Sequence, residues 1–141
     1  MPERPIGVLI VDDHAVVRRG LRELISTTTE FEAVGEAGDG AEALLMVRTL
    51  HPDIVLMDIS MPIVDGVEAT RSIMEDSPDT RVIMLTSDAS EARVLSALEA
   101  GAVAYMLKET EPDLMLMRLR STARTIPRLL HRSTRGEASA G

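Results

Sequence analysis

The sequence contains no cysteine, which excludes disulfide bonds, thiolate catalysis and cysteine-based zinc sites. Aromatic residues are almost absent too, since Phe31 and Tyr105 are the only two, so the core must be aliphatic. No apolar run approaches the length of a membrane span, and the first five residues lack the basic and apolar segments of a signal peptide. These absences predict a cytoplasmic protein without membrane contact.

The charge is unevenly divided along the 141 residues, which suffice for one domain with a single core. Residues 1–117 carry 22 acidic and 9 basic side chains, whereas residues 118–141 carry six arginines and one acid. The acidic body is expected to repel nucleic acid. The arginine-rich end could contact phosphate or an acidic surface, although a solvated basic segment is the commoner meaning of such a pattern.

Five apolar runs alternate with segments of helical periodicity. The strands are predicted at 6–11, 32–37, 54–58, 81–87 and 103–107, and the helices between and after them. Alternation of this kind predicts an α/β domain, with a five-stranded parallel sheet covered by helices on both faces. Of the two common doubly wound strand orders, only 2-1-3-4-5 suits five strands. The second strand, which mixes polar and apolar residues, is expected near the sheet edge.

The helical periodicity also predicts which side chains face the sheet. Val16 is expected on the apolar face of the first helix, and Leu95 and Leu98 are expected to face inward from the fourth. We predict a domain over residues 1–122, followed by a basic linker or disordered tail over residues 123–141.

Polar residues end four of the five predicted strands. Asp12 and Asp13 follow the first strand, Asp58 ends the third, Thr86 ends the fourth and Lys108 follows the fifth. The carboxyl ends of parallel strands share one edge of the sheet, where ligands bind, so these side chains are expected to be neighbours. Taken singly, Asp58 could simply cap the next helix, and Thr86 and Lys108 could be ordinary surface residues. Their combination at four strand ends favours a chemical site.

The predicted cluster has the parts needed for phosphoryl transfer to a carboxylate. Three carboxylates brought together require protons or a cation among them, and oxygen ligands of this kind suit Mg²⁺. Lys108 is the only lysine of the chain, and its ammonium can contact a phosphoryl oxygen, as can the hydroxyl of Thr86. Asp58 would be the nucleophile, with the metal held by Asp13 and Asp58.

Several motifs together resemble the receiver domain of bacterial two-component response regulators over residues 5–122. They are Val-Asp-Asp-His at 11–14, Met-Asp-Ile-Ser-Met-Pro at 57–62, Leu-Thr-Ser at 85–87 and Tyr-Met-Leu-Lys at 105–108. The motif at 11–14 and the stretches at 65–71 and 105–109 are most similar to the corresponding stretches of the NarL/FixJ (LuxR-type) subfamily. Members of that subfamily usually continue into a helix-turn-helix domain that binds DNA. The resemblance implies a flavodoxin-like, CheY-like fold.

The resemblance also implies roles for individual residues. Asp58 would accept a phosphoryl group from a sensor histidine kinase, with Thr86 and Lys108 beside it. Asp13 and the backbone carbonyl of Ile59 would help Asp58 to hold Mg²⁺, and Asp12 would act through the metal's water shell. Thr86 and Tyr105 match the family's switch pair, in which the hydroxyl moves toward the phosphoryl group and the ring turns inward. Ser60 and Asp88 occupy positions that tune phosphoryl lifetime in the family.

The function implied is a phosphorylation-controlled switch whose output is transcription. Such a domain is not an enzyme beyond catalysing its own Mg²⁺-dependent phosphorylation and dephosphorylation. Its partners would be a sensor histidine kinase and, as an option the sequence leaves open, a second copy in a homodimer. DNA would be bound only through an output domain, for which residues 123–141 leave no room.

Three other functions remain open from the sequence. A phosphatase of the haloacid-dehalogenase kind also uses Asp, a hydroxyl, Lys and Mg²⁺, but it needs an Asp-x-Asp arrangement after the first strand instead of adjacent Asp12 and Asp13. A nucleotide-binding Rossmann protein would need a glycine fingerprint after that strand, which is missing. The third is a receiver that signals through partner contact without being phosphorylated.

Overall fold

The computed structural model describes residues 4–87 and 91–127, with the backbone alone for Glu91. Five strands and five helices alternate: β1 (Ile6–Val11), α1 (Ala15–Ser26), β2 (Phe31–Ala37), α2 (Gly40–Leu50), β3 (Ile54–Asp58), α3 (Gly66–Asp76), β4 (Arg81–Thr86), α4 (Glu91–Ala100), β5 (Ala104–Leu107) and α5 (Pro112–Ala123). All neighbouring strands pair in parallel, in the order β2-β1-β3-β4-β5. The predicted fold and strand order are confirmed, including the edge position of β2.

Aspartates fix the start of two helices. The Asp39 carboxylate accepts a hydrogen bond of 2.8 Å from the Glu42 amide at the start of α2. The Asp65 carboxylate accepts one of 2.9 Å from the Glu68 amide at the start of α3. Each aspartate satisfies an amide that has no partner within its own helix. Because Asp65 caps α3, the alternative role of Asp58 as the cap of that helix is wrong.

The sheet separates two apolar layers. The layer on one face is formed with α1 and α5, which contribute the buried residues Leu21, Ile25, Met115, Leu116 and Leu119. The layer on the other face is formed with α2, α3 and α4, which contribute Ala43, Val47, Ala69, Ile73 and Ala97. Every residue of β3 is buried, as expected for a central strand covered on both faces. This packing fixes the strand ends that carry the site.

Two expectations about helix faces are wrong. Val16 of α1 is 80% exposed, and on α4 Leu95 and Leu98 are 50% and 41% exposed. The α4 helix is instead buried through Ala97 and Ala100. Small side chains let a helix lie close to its neighbours, so an alanine stripe can face the core while the larger leucines point outward. Periodicity alone could not separate these two stripes, because both have helical spacing.

The packed structure continues past residue 122, since Ala123 and Ile126 are both buried. Arg81 at the start of β4 donates from Nη2 to the Thr125 carbonyl over 2.8 Å. Most of the predicted basic tail, including the arginines at 128, 132 and 135, lies outside the described residues, as does Asp88. Within the described ranges, no helix is both long and apolar enough to cross a membrane.

Candidate functional site

Strand pairing brings the predicted polar residues to one edge of the sheet. Val11 of β1 lies opposite Met57 of β3, so Asp12 and Asp58, the next residues along, are neighbours. On the other side of β3, Asp58 pairs with Leu85 of β4. The Lys108 amide donates to the Thr86 carbonyl over 2.8 Å, which fixes the end of β5 against the end of β4. The sequence therefore predicted this juxtaposition correctly.

Lys108 joins the two buried carboxylates at the centre of the site. Its Nζ atom lies 2.8 Å from Asp12 Oδ2 and 3.2 Å from Asp58 Oδ2. The side chains of Asp12 and Asp58 are 0% and 3% exposed, and that of Lys108 is 16% exposed. Among the described residues, no donor makes a well-directed hydrogen bond to either Oδ2 atom. The ammonium therefore stabilises these oxygens by charge.

The other oxygen of each buried carboxylate is held by the local backbone. Asp12 Oδ1 accepts a hydrogen bond of 2.8 Å from the His14 amide, and the His14 Nδ1 atom lies 3.0 Å from it. Asp58 Oδ1 accepts a hydrogen bond of 3.1 Å from the Ser60 amide. These bonds fix both carboxylates, so that each directs its Oδ2 atom toward Lys108.

Burial and charge shift the proton affinities of this pair. Burial raises the pKa of Asp58 and the Asp12 charge adds to the effect, whereas the Ser60 amide and Lys108 oppose it. Burial of the Lys108 ammonium acts against its charge, but the carboxylates of Asp12 and Asp58 outweigh burial and raise the pKa of Lys108. Lys108 is therefore a permanent cation. Asp58, when ionised, is more basic than an ordinary aspartate, which favours its use as a nucleophile.

The acidic residues at this edge fit a divalent cation. One ligand atom from each of Asp12, Asp13, His14 and Asp58 lies within 4.8 Å of the others. The Asp13 side chain is 30% exposed, so this side of the cluster is open to water. Hard carboxylate oxygens beside water are the ligands that such cations prefer, and the buried Asp58 Oδ2 lacks a directed donor among the described residues. The chemistry of the donor set thus agrees with a metal site.

Thr86 and Tyr105, the predicted switch pair, lie in different places. Thr86 is buried and lines a cavity of about 240 Å³ together with Asp58, Ser60, Arg93 and Lys108. Tyr105 is 41% exposed and lines a separate groove with residues of α5. Side chains two residues apart on a strand share a face, and Tyr105 pairs with Met84, two residues before Thr86. The two residues therefore lie on the same face of the sheet.

Two residues of the site were not predicted as functional. The His14 Nδ1 atom lies 3.0 Å from oxygens of both Asp12 and Asp13, and its place directly after that pair was a signal that could have identified it. The Nη2 atom of Arg93 donates to the Ile59 carbonyl over 2.9 Å. A lone arginine on a helix carries no signal of such a contact, because only packing brings α4 beside the end of β3.

Known proteins resemble this chain in both sequence and structure. The family model of the response regulator receiver domain matches residues 8–120. The uncharacterized transcriptional regulatory protein YhcZ of Bacillus subtilis is 49% identical over 106 residues, covering 75% of this chain and 50% of that protein. The response regulator protein VraR of Staphylococcus aureus is 44% identical over 119 residues, covering 84% and 57%.

Among solved structures, the signal receiver domain of the putative response regulator NarL from Mycobacterium tuberculosis superimposes with a TM-score of 0.83. It is 30% identical, and the match covers 86% of this chain and 98% of that domain. The chain spans about half the length of the curated relatives it matches. Several of these relatives are named as transcriptional regulatory proteins, and VraR is named as a response regulator protein. The sequence, the fold and the acidic edge agree, and the chain belongs to the response regulator receiver domain family.

Proposed function

We propose that Asp58 accepts a phosphoryl group from a sensor histidine kinase and that the resulting change in charge switches the domain. The observation that carries this proposal is the Asp58 carboxylate itself. It is buried, its pKa is raised by burial, and its Oδ2 atom lies 3.2 Å from Lys108 Nζ. It also lines a cavity of about 240 Å³ that is large enough for a phosphoryl group.

The residues around Asp58 have separate tasks in this reaction. An oxygen of Asp58 forms the new bond to phosphorus, and the bond between phosphorus and the nitrogen of the donor histidine breaks. Lys108 neutralises charge on the transferred group, and the Thr86 hydroxyl can donate a hydrogen bond to it. The Ser60 amide, which donates to Asp58 Oδ1 over 3.1 Å, orients the carboxylate. The domain thus catalyses only its own phosphorylation and dephosphorylation.

The metal that fits this site best is Mg²⁺, held by Asp13, Asp58 and the Ile59 carbonyl, with Asp12 acting through the metal's water shell. When bound, Mg²⁺ supplies positive charge that offsets the negative charge of the phosphoryl oxygens. The arrangement of the chain supports this assignment, because the ligand atoms of Asp12, Asp13 and Asp58 already lie within 4.8 Å of one another.

The output is proposed from the relatives and from the positions of the switch residues. Thr86 would move toward the phosphoryl group and Tyr105 would turn inward, changing the surface formed by α4 and β5. Because the curated relatives are transcriptional regulators, we assign this surface to the control of transcription in the cytoplasm. DNA binding would require a separate output domain, and a homodimer is one form in which the switched domain can act.

The test is the intact mass of the protein after incubation with acetyl phosphate, with and without Mg²⁺. We expect one added phosphoryl group that requires Mg²⁺ and is absent from Asp58→Ala. Asp53→Asn is the matched control, because Asp53 follows Pro52 at the opposite end of β3 and should leave the adduct unchanged. Absence of any adduct, together with failure to bind a stable phosphoryl mimic, would instead favour a binding module that works without phosphorylation.

A further inference from the structure

The carbonyl oxygen of Ile59 already has two hydrogen-bond donors. The Gly66 amide donates to it over 3.1 Å, and Arg93 Nη2 donates to it over 2.9 Å. A backbone carbonyl has two lone pairs, so both are in use. A metal ion that takes this oxygen as a ligand must therefore displace one of the two donors.

The Gly66 amide is the donor that cannot easily leave. It belongs to the first residue of α3 and is held by the helix that follows. Its residue also packs against the end of β3 so closely that an added Cβ would overlap the Asp58 carbonyl oxygen and the Ile59 Cα atom. Movement of Gly66 would require the whole start of α3 to shift.

Arg93 is the donor that can leave. It is an exposed residue of α4, and its guanidinium reaches the site at the end of a flexible side chain. It also lines the cavity that contains Asp58, Thr86 and Lys108. A guanidinium and a divalent cation repel each other at short range, so they cannot share one carbonyl oxygen.

We propose that Arg93 is an internal competitor of Mg²⁺, whose guanidinium holds the Ile59 carbonyl until the metal displaces it. The inference rests on the proposed function, because it assumes that the Ile59 carbonyl is a metal ligand. Its consequence is that metal binding breaks a direct contact between α4 and the end of β3. The metal therefore acts on α4 before any phosphoryl group arrives.

The test is the Mg²⁺ affinity of the full chain, measured by titration calorimetry for the wild type, Arg93→Met and Arg93→Lys. Met keeps an unbranched, flexible side chain but removes the donors and the charge, and Lys keeps the charge without the planar guanidinium. We expect Arg93→Met to bind Mg²⁺ about tenfold more tightly or better, because a hydrogen bond from a charged donor no longer competes. The gain should persist at high salt, where distant charges are screened.

Other outcomes separate this inference from the proposed function. Equal Mg²⁺ affinity of the wild type and Arg93→Met would overturn the competition while leaving the metal site intact. A gain that disappears at high salt, with Arg93→Lys equal to the wild type, would mean that only the net charge matters and would also overturn it. If neither form bound Mg²⁺, both the metal site and the competition would be wrong. Asp13→Asn should abolish binding and so identifies the site.

Discussion

The two edges of the sheet use aspartates in opposite ways. At the amino edge, Asp53 Oδ2 accepts a hydrogen bond of 2.9 Å from the buried Gly7 amide, and the Asp53 amide donates to the Gly7 carbonyl over 2.9 Å. These directed bonds tie the start of β3 to β1. At the carboxyl edge, the Oδ2 atoms of Asp12 and Asp58 are buried beside Lys108 without a directed donor among the described residues.

The difference shows that the carboxyl edge, which carries the chemical groups, is less favourable for stability than the amino edge. A buried polar group that is fully hydrogen-bonded supports the fold, whereas a buried charge that is incompletely hydrogen-bonded opposes it. The pKa of Asp58 is raised, mainly by burial, because the folded state disfavours the charged form of this carboxyl group. Removing the aspartate charge at the two edges, at Asp53 and at Asp58, should therefore differ in the sign and in the pH dependence of the effect on stability.

The largest effect is expected from Lys108→Met. It leaves the buried carboxylates of Asp12 and Asp58 facing each other without their cation, which should lower the free energy of unfolding by about 3 kcal/mol at neutral pH. The loss should shrink as the pH falls, because protonation of Asp58 removes the repulsion. Urea unfolding followed by circular dichroism measures both effects in a chain that has no tryptophan.

Arg81→Met is the matched control for this loss of a cation. The Arg81 side chain donates to the carbonyl and hydroxyl of Thr125 and to the Pro78 carbonyl, three neutral groups in an exposed setting. We expect a loss of less than about 1 kcal/mol, without pH dependence near Asp58. Equal losses from the two substitutions would contradict the contrast between the edges.

An intermediate effect is expected from Asp53→Ala at the amino edge. It leaves the buried Gly7 amide without the acceptor it now has at 2.9 Å, so stability should fall by about 1.5 kcal/mol. Asp53→Asn keeps a carbonyl oxygen as acceptor and should lose less. Mass analysis should show that both variants are phosphorylated as fully as the wild type. A defect in phosphorylation that exceeds the unfolded fraction would place Asp53 in the functional machinery.

A smaller effect than that of Lys108→Met or Asp53→Ala is expected from Asp58→Asn, and it has the opposite sign. Because the folded state raises the pKa of Asp58 above its ordinary value, the folded protein binds this proton more tightly than the unfolded chain does. Stability is therefore lost as the pH rises through the interval between these two pKa values. Asparagine avoids this loss, so the variant should be about 1 kcal/mol more stable at neutral pH.

The pH dependence is what tests this last expectation. The advantage of Asp58→Asn should vanish below the ordinary pKa of an aspartate, where both states of the wild type are protonated. Melting temperatures measured across the acid range would reveal it. A variant that is less stable than the wild type at neutral pH would show that the Asp58 charge supports the fold, which would remove the contrast between the two edges.

The sequence predicted the sheet and the residues at its carboxyl edge because these depend on short patterns. An apolar run that ends in a carboxylate specifies both a buried strand and the group at its end, as in β3 and Asp58. The carboxyl ends of parallel strands share one edge of the sheet. Asp12, Thr86 and Lys108 could therefore be predicted as neighbours before any distance between their atoms was known. The strand order followed from the number of strands and the common topologies.

Other features could not be predicted, because they depend on which of two similar surfaces packs best. Leu95 and Leu98 have the same helical spacing as Ala97 and Ala100, yet the alanines face the core. This choice is made by the space between α4 and the sheet. The position of Arg93 depends on it in turn, since the orientation of α4 decides which of its side chains reach the Ile59 carbonyl.

The sequence by itself thus determined the α/β fold, the strand order and the residues gathered at the acidic edge. The tertiary structure alone decided how Lys108 is shared between Asp12 and Asp58, which oxygens lack a directed donor, and that Arg93 occupies the Ile59 carbonyl. The physical reason is that the two kinds of feature depend on contacts over different separations along the chain. Strand patterns and strand ends are local properties of the chain, whereas distances between side chains on separate elements depend on how those elements pack.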